Sequence, residues 1–116
     1  MGERPIFRQG DVLLDGVARM PRGTAVRRVA AESGRLVLAR GEMTGHLHAV
    51  PAGAGELLEV TTSGRTVRYL RIRIPTQLTH QEHAPIDVAP GLYRVGIQSE
   101  YAPVPGSRPH RRMVAD

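Results

Sequence analysis

The sequence has no cysteine, no lysine and no asparagine, and only four aromatic residues in 116. Without cysteine there is no disulfide framework, no thiolate zinc site and no cysteine nucleophile. Without lysine there is no Schiff-base chemistry and no serine–lysine dyad. All sixteen basic residues are arginine. Together with the missing asparagine, this reads as the codon bias of a GC-rich genome rather than as selection for phosphate. No run approaches the ~20 apolar residues of a membrane helix. Met1 to Ile6 has no apolar signal core. The expectation is a cytoplasmic protein with no membrane partner.

What is present is ordinary globular composition, 41% hydrophobic and 23% charged, enough for one small core. The net charge is +5. Arg108, Arg111 and Arg112 against Asp116 place +2 of it in residues 104–116. This permits a nucleic-acid partner without demanding one.

Thirteen glycines and nine prolines punctuate the chain at short intervals. The segments between favour β-branched residues. Expected strands are Val12–Leu14, Thr24–Val29, Arg35–Arg40, Thr44–Val50, Glu56–Thr62, Arg65–Ile74, Gln77–His80, Ile86–Val88 and a last one from Leu92 to about Tyr101. Ser63-Gly64 is a hairpin turn signal. In the arm after it, Leu70, Ile72 and Ile74 share one face, while Arg71 and Arg73 share the other. Ala25–Ser33 is the one candidate for a short helix. The fold class is all-β, a single small barrel or sandwich of about eight short strands. Residues 1–103 form the domain, and 104–116 form a flexible basic tail or an arm that docks on a neighbour. Exposed strand edges make a homodimer a reasonable expectation.

Four of the five histidines fall in two clusters, His46-Leu47-His48 and His80-Gln81-Glu82-His83. Residues two apart in a strand share a face, so His46 and His48 lie side by side. A regular strand sends His80 and His83 to opposite faces, whereas a turn before Ala84-Pro85 brings them together. Four imidazoles and the Glu82 carboxylate are then candidates for one site. In Gln98-Ser99-Glu100-Tyr101, Glu100 is a candidate ligand, imidazole partner or general base, with Tyr101 beside it. Each of these residues also has a bland reading, as a solvated or hydrogen-bonded side chain. Asp11, in Gly10-Asp11, reads mainly as a turn residue. Tyr69, Arg71 and Arg73 on one strand face suggest a clamp for single-stranded nucleic acid. Four aromatics make a poor stacking platform, and a solvated face is the simpler reading.

Gly45-His46-Leu47-His48 in a small β-protein resembles the first motif of the cupins. The resemblance implies a β-barrel with a mononuclear metal, His46 and His48 as ligands, and His80 or His83 as the third. The glutamate of that motif is missing, since Ala49-Val50-Pro51-Ala52 follow His48. No histidine follows Pro90-Gly91, where the second motif would have one. The strings Gly41 to His48, Thr79 to His83 and Gln98 to Tyr101 also resemble a group of short uncharacterised bacterial and phage proteins, which implies no activity.

Three functional classes remain. The first is a metal-binding barrel, able to act on a small-molecule substrate where a coordination position stays open, holding Zn, Fe, Ni, Mn or Cu through His46, His48, His80 and His83, with Glu82 or Glu100 as a further ligand. The second is a metal-free acid–base enzyme on RNA or another phosphoester. The third is a nucleic-acid- or protein-binding module.

Overall fold

The computed structural model describes residues 5–22, 25–40 and 45–97. Ten strands account for most of them. They are β1 (Ile6–Gln9), β2 (Val12–Val17), β3 (Ala25–Val29), β4 (Arg35–Arg40), β5 (Leu47–Pro51), β6 (Gly55–Thr62), β7 (Arg65–Ile72), β8 (Thr76–Leu78), β9 (Ile86–Val88) and β10 (Gly91–Ile97). A single 3-10 turn, Ala52–Ala54, is the only helical element among the described residues. The Ala25–Ser33 helix is therefore not formed. Val26, Val29 and their neighbours give β3 instead, and Ser33-Gly34 makes a turn.

The main layer is a six-stranded antiparallel sheet in the order β1-β2-β10-β7-β6-β3. The hairpins β4-β5 and β8-β9 form two further small sheets. The architecture is an open, layered all-β domain rather than a closed barrel. Turn chemistry sets the registers. Ser63 and Gly64 have φ of 51° and 78°, the paired positive values that suit a two-residue hairpin of right-twisted strands. Their hairpin aligns Thr62 with Arg65 and, at its far end, Gly55 with Ile72. Ser33 and Gly34 repeat the device, at 52° and 78°, between Glu32 and Arg35, which bond each other in both directions.

One face of the main sheet carries the core. Leu57 pairs with Leu70 and Leu70 with Tyr93, while Leu14 pairs with Val95. These residues, with Val12 and Ile72, join Leu36, Leu38 and Val50 of the β4-β5 hairpin and Leu78 and Val88 of the β8-β9 hairpin in one cluster. Leu36, Val37 and Leu38 are buried in succession, which strict alternation forbids. A register shift between Val37 and Ala39 explains it, because a bulge re-aims side chains. Tyr93 is core as well. Its hydroxyl donates to the Ala89 carbonyl at 2.6 Å, and burial raises its pKa. Ile74 departs from the expected face, being 55% exposed, because β7 ends at Ile72.

The opposite face is partly covered too. Leu58, Val60 and Tyr69 are buried there. Pro21 lines a cleft with Val60, Val67 and Tyr69, and Thr62 Oγ1 donates to the Arg22 carbonyl at 3.2 Å. The β2–β3 connection thus crosses this face. Gln98, Ser99, Glu100, Tyr101 and the tail 104–116 lie outside the described residues.

Gly55 is where β6 approaches β7 most tightly, since a β-carbon there would collide with the Arg71 carbonyl. Gly55→Ala should destabilise the protein by at least about 2 kcal/mol, in the range of overpacked sites. Gly53→Ala, with nothing within 4 Å, should be near neutral. Urea unfolding midpoints of the two variants check this.

Candidate functional site

The site is set by one isolated pairing. Ala49 in β5 and Thr79, just after β8, exchange backbone hydrogen bonds, N to O at 3.1 and 2.9 Å. The pairing is antiparallel, so His48 faces His80 and His46 faces Glu82. A pair flanking a hydrogen-bonded one is the close kind, with side chains nearest. The ring centroids of His48 and His80 accordingly lie 4.4 Å apart. Gln81 fastens the same register, its Oε1 accepting from the Leu47 amide at 2.7 Å.

Residues 81–83 bend instead of continuing the strand, which returns His83 to the cluster. Its ring centroid is 4.7 Å from that of His80 and 5.9 Å from that of His48. His46 lies 5.3 Å from His80. The two histidine clusters of the sequence therefore converge. His48 is fully buried and His80 nearly so. Glu82 sits at the rim, its Oε2 3.9 Å from His46 Nε2.

The structure adds two residues from the β1–β2 turn. Gln9 is a buried polar side chain of β1, a strand the sequence reading does not contain. Its Nε2 donates to the carbonyls of Leu78 and Ala84, both at 3.0 Å, and its Oε1 lies 3.0 Å from His48 Nδ1. Asp11 Oδ1 lies 3.5 Å from His48 Nε2. The only sequence signal is local: Gln9 and Asp11 flank Gly10, which adopts φ 58° in the tight turn between two strands.

These bonds fix tautomers. Carbonyl oxygens only accept, so the Gln9 amide must present its nitrogen to Leu78 and Ala84 and its oxygen to His48. His48 then carries a proton on Nδ1, and in the neutral ring the Nε2 lone pair faces Asp11. The Glu82 amide donates to His80 Nδ1 at 2.9 Å, so the proton of neutral His80 is on Nε2. Adjacent neutral imidazoles thus hold opposite tautomers, one with a lone pair on Nε2 and the other with a proton there. Among the described residues, no group of three or more His, Asp or Glu has its donor atoms gathered to hold a metal ion as they stand.

The arginine face does not form the clamp weighed above, and its guanidinium groups are tied up in ion pairs. Tyr69 is buried and offers no stacking surface. Glu56 binds Arg28 at 2.8 Å and Arg71 at 3.5 Å, with Arg73 at 3.8 Å. On the other face of the same strands, Glu59 binds Arg27 at 2.6 Å and Arg68 at 3.2 Å. Both carboxyls titrate below the usual carboxylate range. At Glu56 desolvation is the largest influence and acts upward, but the hydrogen bonds and charges of Arg28 and Arg71 together outweigh it. At Glu59 the Arg27 hydrogen bond leads, with Arg68 adding to it against desolvation.

The comparisons place the chain. Residues 8–98 match the family described as a domain of unknown function, DUF8820. The chain belongs to this family. The match spans 91 residues of 116 and includes Gln9, Asp11 and all four clustered histidines, whereas Glu100 and Tyr101 fall beyond it. It lends no support to the cupin likeness. No curated protein and no solved structure matches the chain. No helix among the described residues is long and apolar enough to cross a membrane.

Two predictions follow from the geometry. Long-range 1H–15N NMR of the metal-free protein at neutral pH should find His48 protonated on Nδ1 and His80 on Nε2. Gln9→Leu removes the partner of two buried polar groups, the Leu78 carbonyl and His48 Nδ1, each costing about 1–3 kcal/mol when left unpaired, and should abolish the His48 tautomer preference. The second prediction concerns acid. A carboxyl with a lowered folded pKa contributes stability above its unfolded value of 4.5 and loses it as pH falls through the folded value. A Glu56→Gln/Glu59→Gln double variant should therefore show a flatter stability profile below pH 4.5 than the parent in urea titrations.

Proposed function

We propose that the histidine cluster binds a divalent transition metal. The observation that carries this reading is the convergence of four imidazoles and two carboxylates from three separate stretches of chain. Nitrogen donors with a carboxylate suit Zn, Fe, Ni, Mn or Cu, and the residues do not choose among them. His48 contributes Nε2, held by Gln9, in the manner of ligands whose other nitrogen is fixed by an outer partner. His46 and His83 join it. His80 would join through Nδ1 once its bond to the Glu82 amide opens, or through Nε2 if the ring proton also moves from Nε2 to Nδ1. Small rotations of these rings must gather the donors, because they are not yet grouped around one point. With a position left open, the ion would supply Lewis-acid or hydroxide chemistry to a small molecule.

A second reading rests on the opposite tautomers. His48 Nε2 carries the lone pair a general base needs, and His80, with its ring centroid 4.4 Å away, would act as general acid once protonated to the imidazolium. This reading requires no metal and suits hydrolysis or transfer at a phosphoester.

Metal content of untagged protein, by inductively coupled plasma mass spectrometry, separates the two. About one ion per chain, lost in a His46→Ala/His48→Ala variant, is the expected result. No ion in the native chain, even after incubation with each candidate metal, overturns the first reading. Chelator-resistant phosphoester cleavage that vanishes with His48→Ala would then support the second.

A further inference from the structure

We infer that Asp11 is a direct ligand of the ion, completing a mixed histidine–carboxylate set with His48. The inference rests on the metal-binding reading and adds the residue that makes the site more than a group of imidazoles.

The argument is one of distance. Asp11 Oδ1 and His48 Nε2 are 3.5 Å apart. A charge-assisted hydrogen bond between such atoms is shorter, about 2.7–2.9 Å. Two ligands on one tetrahedral ion, each about 2.1 Å from it, span roughly 3.4 Å. The observed separation fits the second case. It also has the right polarity, because Gln9 Oε1 directs the His48 proton to Nδ1 and aims the Nε2 lone pair at the carboxylate side. His46 and Glu82 are farther apart, at 3.9 Å, and Glu82 is more than half exposed. Asp11 is the better enclosed of the two carboxylates, with its side chain 28% exposed.

The placement is built into the fold. Gln9 and Asp11 flank Gly10 in the turn joining β1 to β2. The Gln9 amide ties that turn to the β8–β9 hairpin through Leu78 and Ala84, the same hairpin that carries His80 and His83. The turn therefore addresses both nitrogens of His48, Gln9 as a positioning residue and Asp11 as a ligand. A carboxylate in the set favours harder ions than imidazoles alone would and neutralises part of the ion's charge in a buried setting.

The test is a titration of the full chain with Co2+, read by its visible absorption. The variants are Asp11→Asn, Asp11→Glu and Asp15→Asn, the last altering a carboxylate of β2 on the face away from the core residues Val12 and Leu14. Expected are Co2+ binding by the native chain, affinity lowered more than tenfold in Asp11→Asn with an altered spectrum, binding within about tenfold of native in Asp11→Glu, and no change in Asp15→Asn. Asp11→Asn with native affinity and spectrum overturns the role of Asp11 and leaves the metal-binding reading standing. No Co2+ spectrum in the native chain overturns both. Should Asp11→Asn fail to fold, the side-chain carboxyl 13C shift of Asp11 in the native chain, followed through a titration with diamagnetic Zn2+, decides. A large shift of that carboxyl in step with the His48 ring nitrogens supports the inference, and shifts of the ring nitrogens without it overturn it.

Discussion

The two hydrogen bonds between Ala49 and Thr79 hold the candidate site together. They join hairpins that otherwise belong to separate sheets. Because the pairing is antiparallel, one register places three successive pairs: His48 with His80, Leu47 with Gln81, and His46 with Glu82. A slip of one residue would turn the imidazoles to opposite faces. Every contact in the cluster inherits its geometry from this bridge. The rest of the fold keeps the two hairpins where the bridge can form.

That support comes from the main sheet. Leu57, Leu70 and Tyr93 form a row across three strands, and Leu36, Val50, Leu78 and Val88 seat the hairpins against it. The bulge beside Leu38 lets three consecutive residues of β4 face inward next to His48, which pairs with Ala39. Gln9 then connects the sheet to the site. One amide satisfies two carbonyls and one imidazole, so the position of β1 is coupled to the orientation of His48.

Much of this was legible in the sequence where local chemistry decides the structure. Ser63-Gly64 announced its hairpin, and the alternation through Leu70 and Ile72 announced the buried face of β7. The grouping of four histidines announced the site. The Ser33-Gly34 turn carried the same signal but was masked by a helix-like run before it. β1 was missed because Ile6, Phe7 and Arg8 are exposed or half-buried at a sheet edge, with no clean alternation to show. With β1 went Gln9, a polar residue whose burial depends on contacts 69 and 75 residues away. Asp11 looked like a turn residue and is one. Its proximity to His48 is purely tertiary. The pairing of the arginine face was hidden for a related reason. Spacing shows which side chains share a face, but not that Glu56, on the neighbouring strand, takes up the Arg71 and Arg73 guanidinium groups.

The energetics sharpen the reading of the cluster. Gln9, His48 and His80 lie in a domain with few large apolar side chains, at positions where apolar residues would remove the need to satisfy five ring and amide nitrogens. Buried polar groups break even only when every partner is in place. A well-packed apolar substitute is often as stable or more so. Stability therefore gives no account of why this interior is polar. The hydrogen bonds do more than satisfy the groups, since they dictate which nitrogen of each ring carries a proton. Fixing the tautomers of two adjacent imidazoles in opposite senses is a constraint on chemistry rather than on packing. On the metal-binding reading proposed above, the polar interior is a site first and part of the core second.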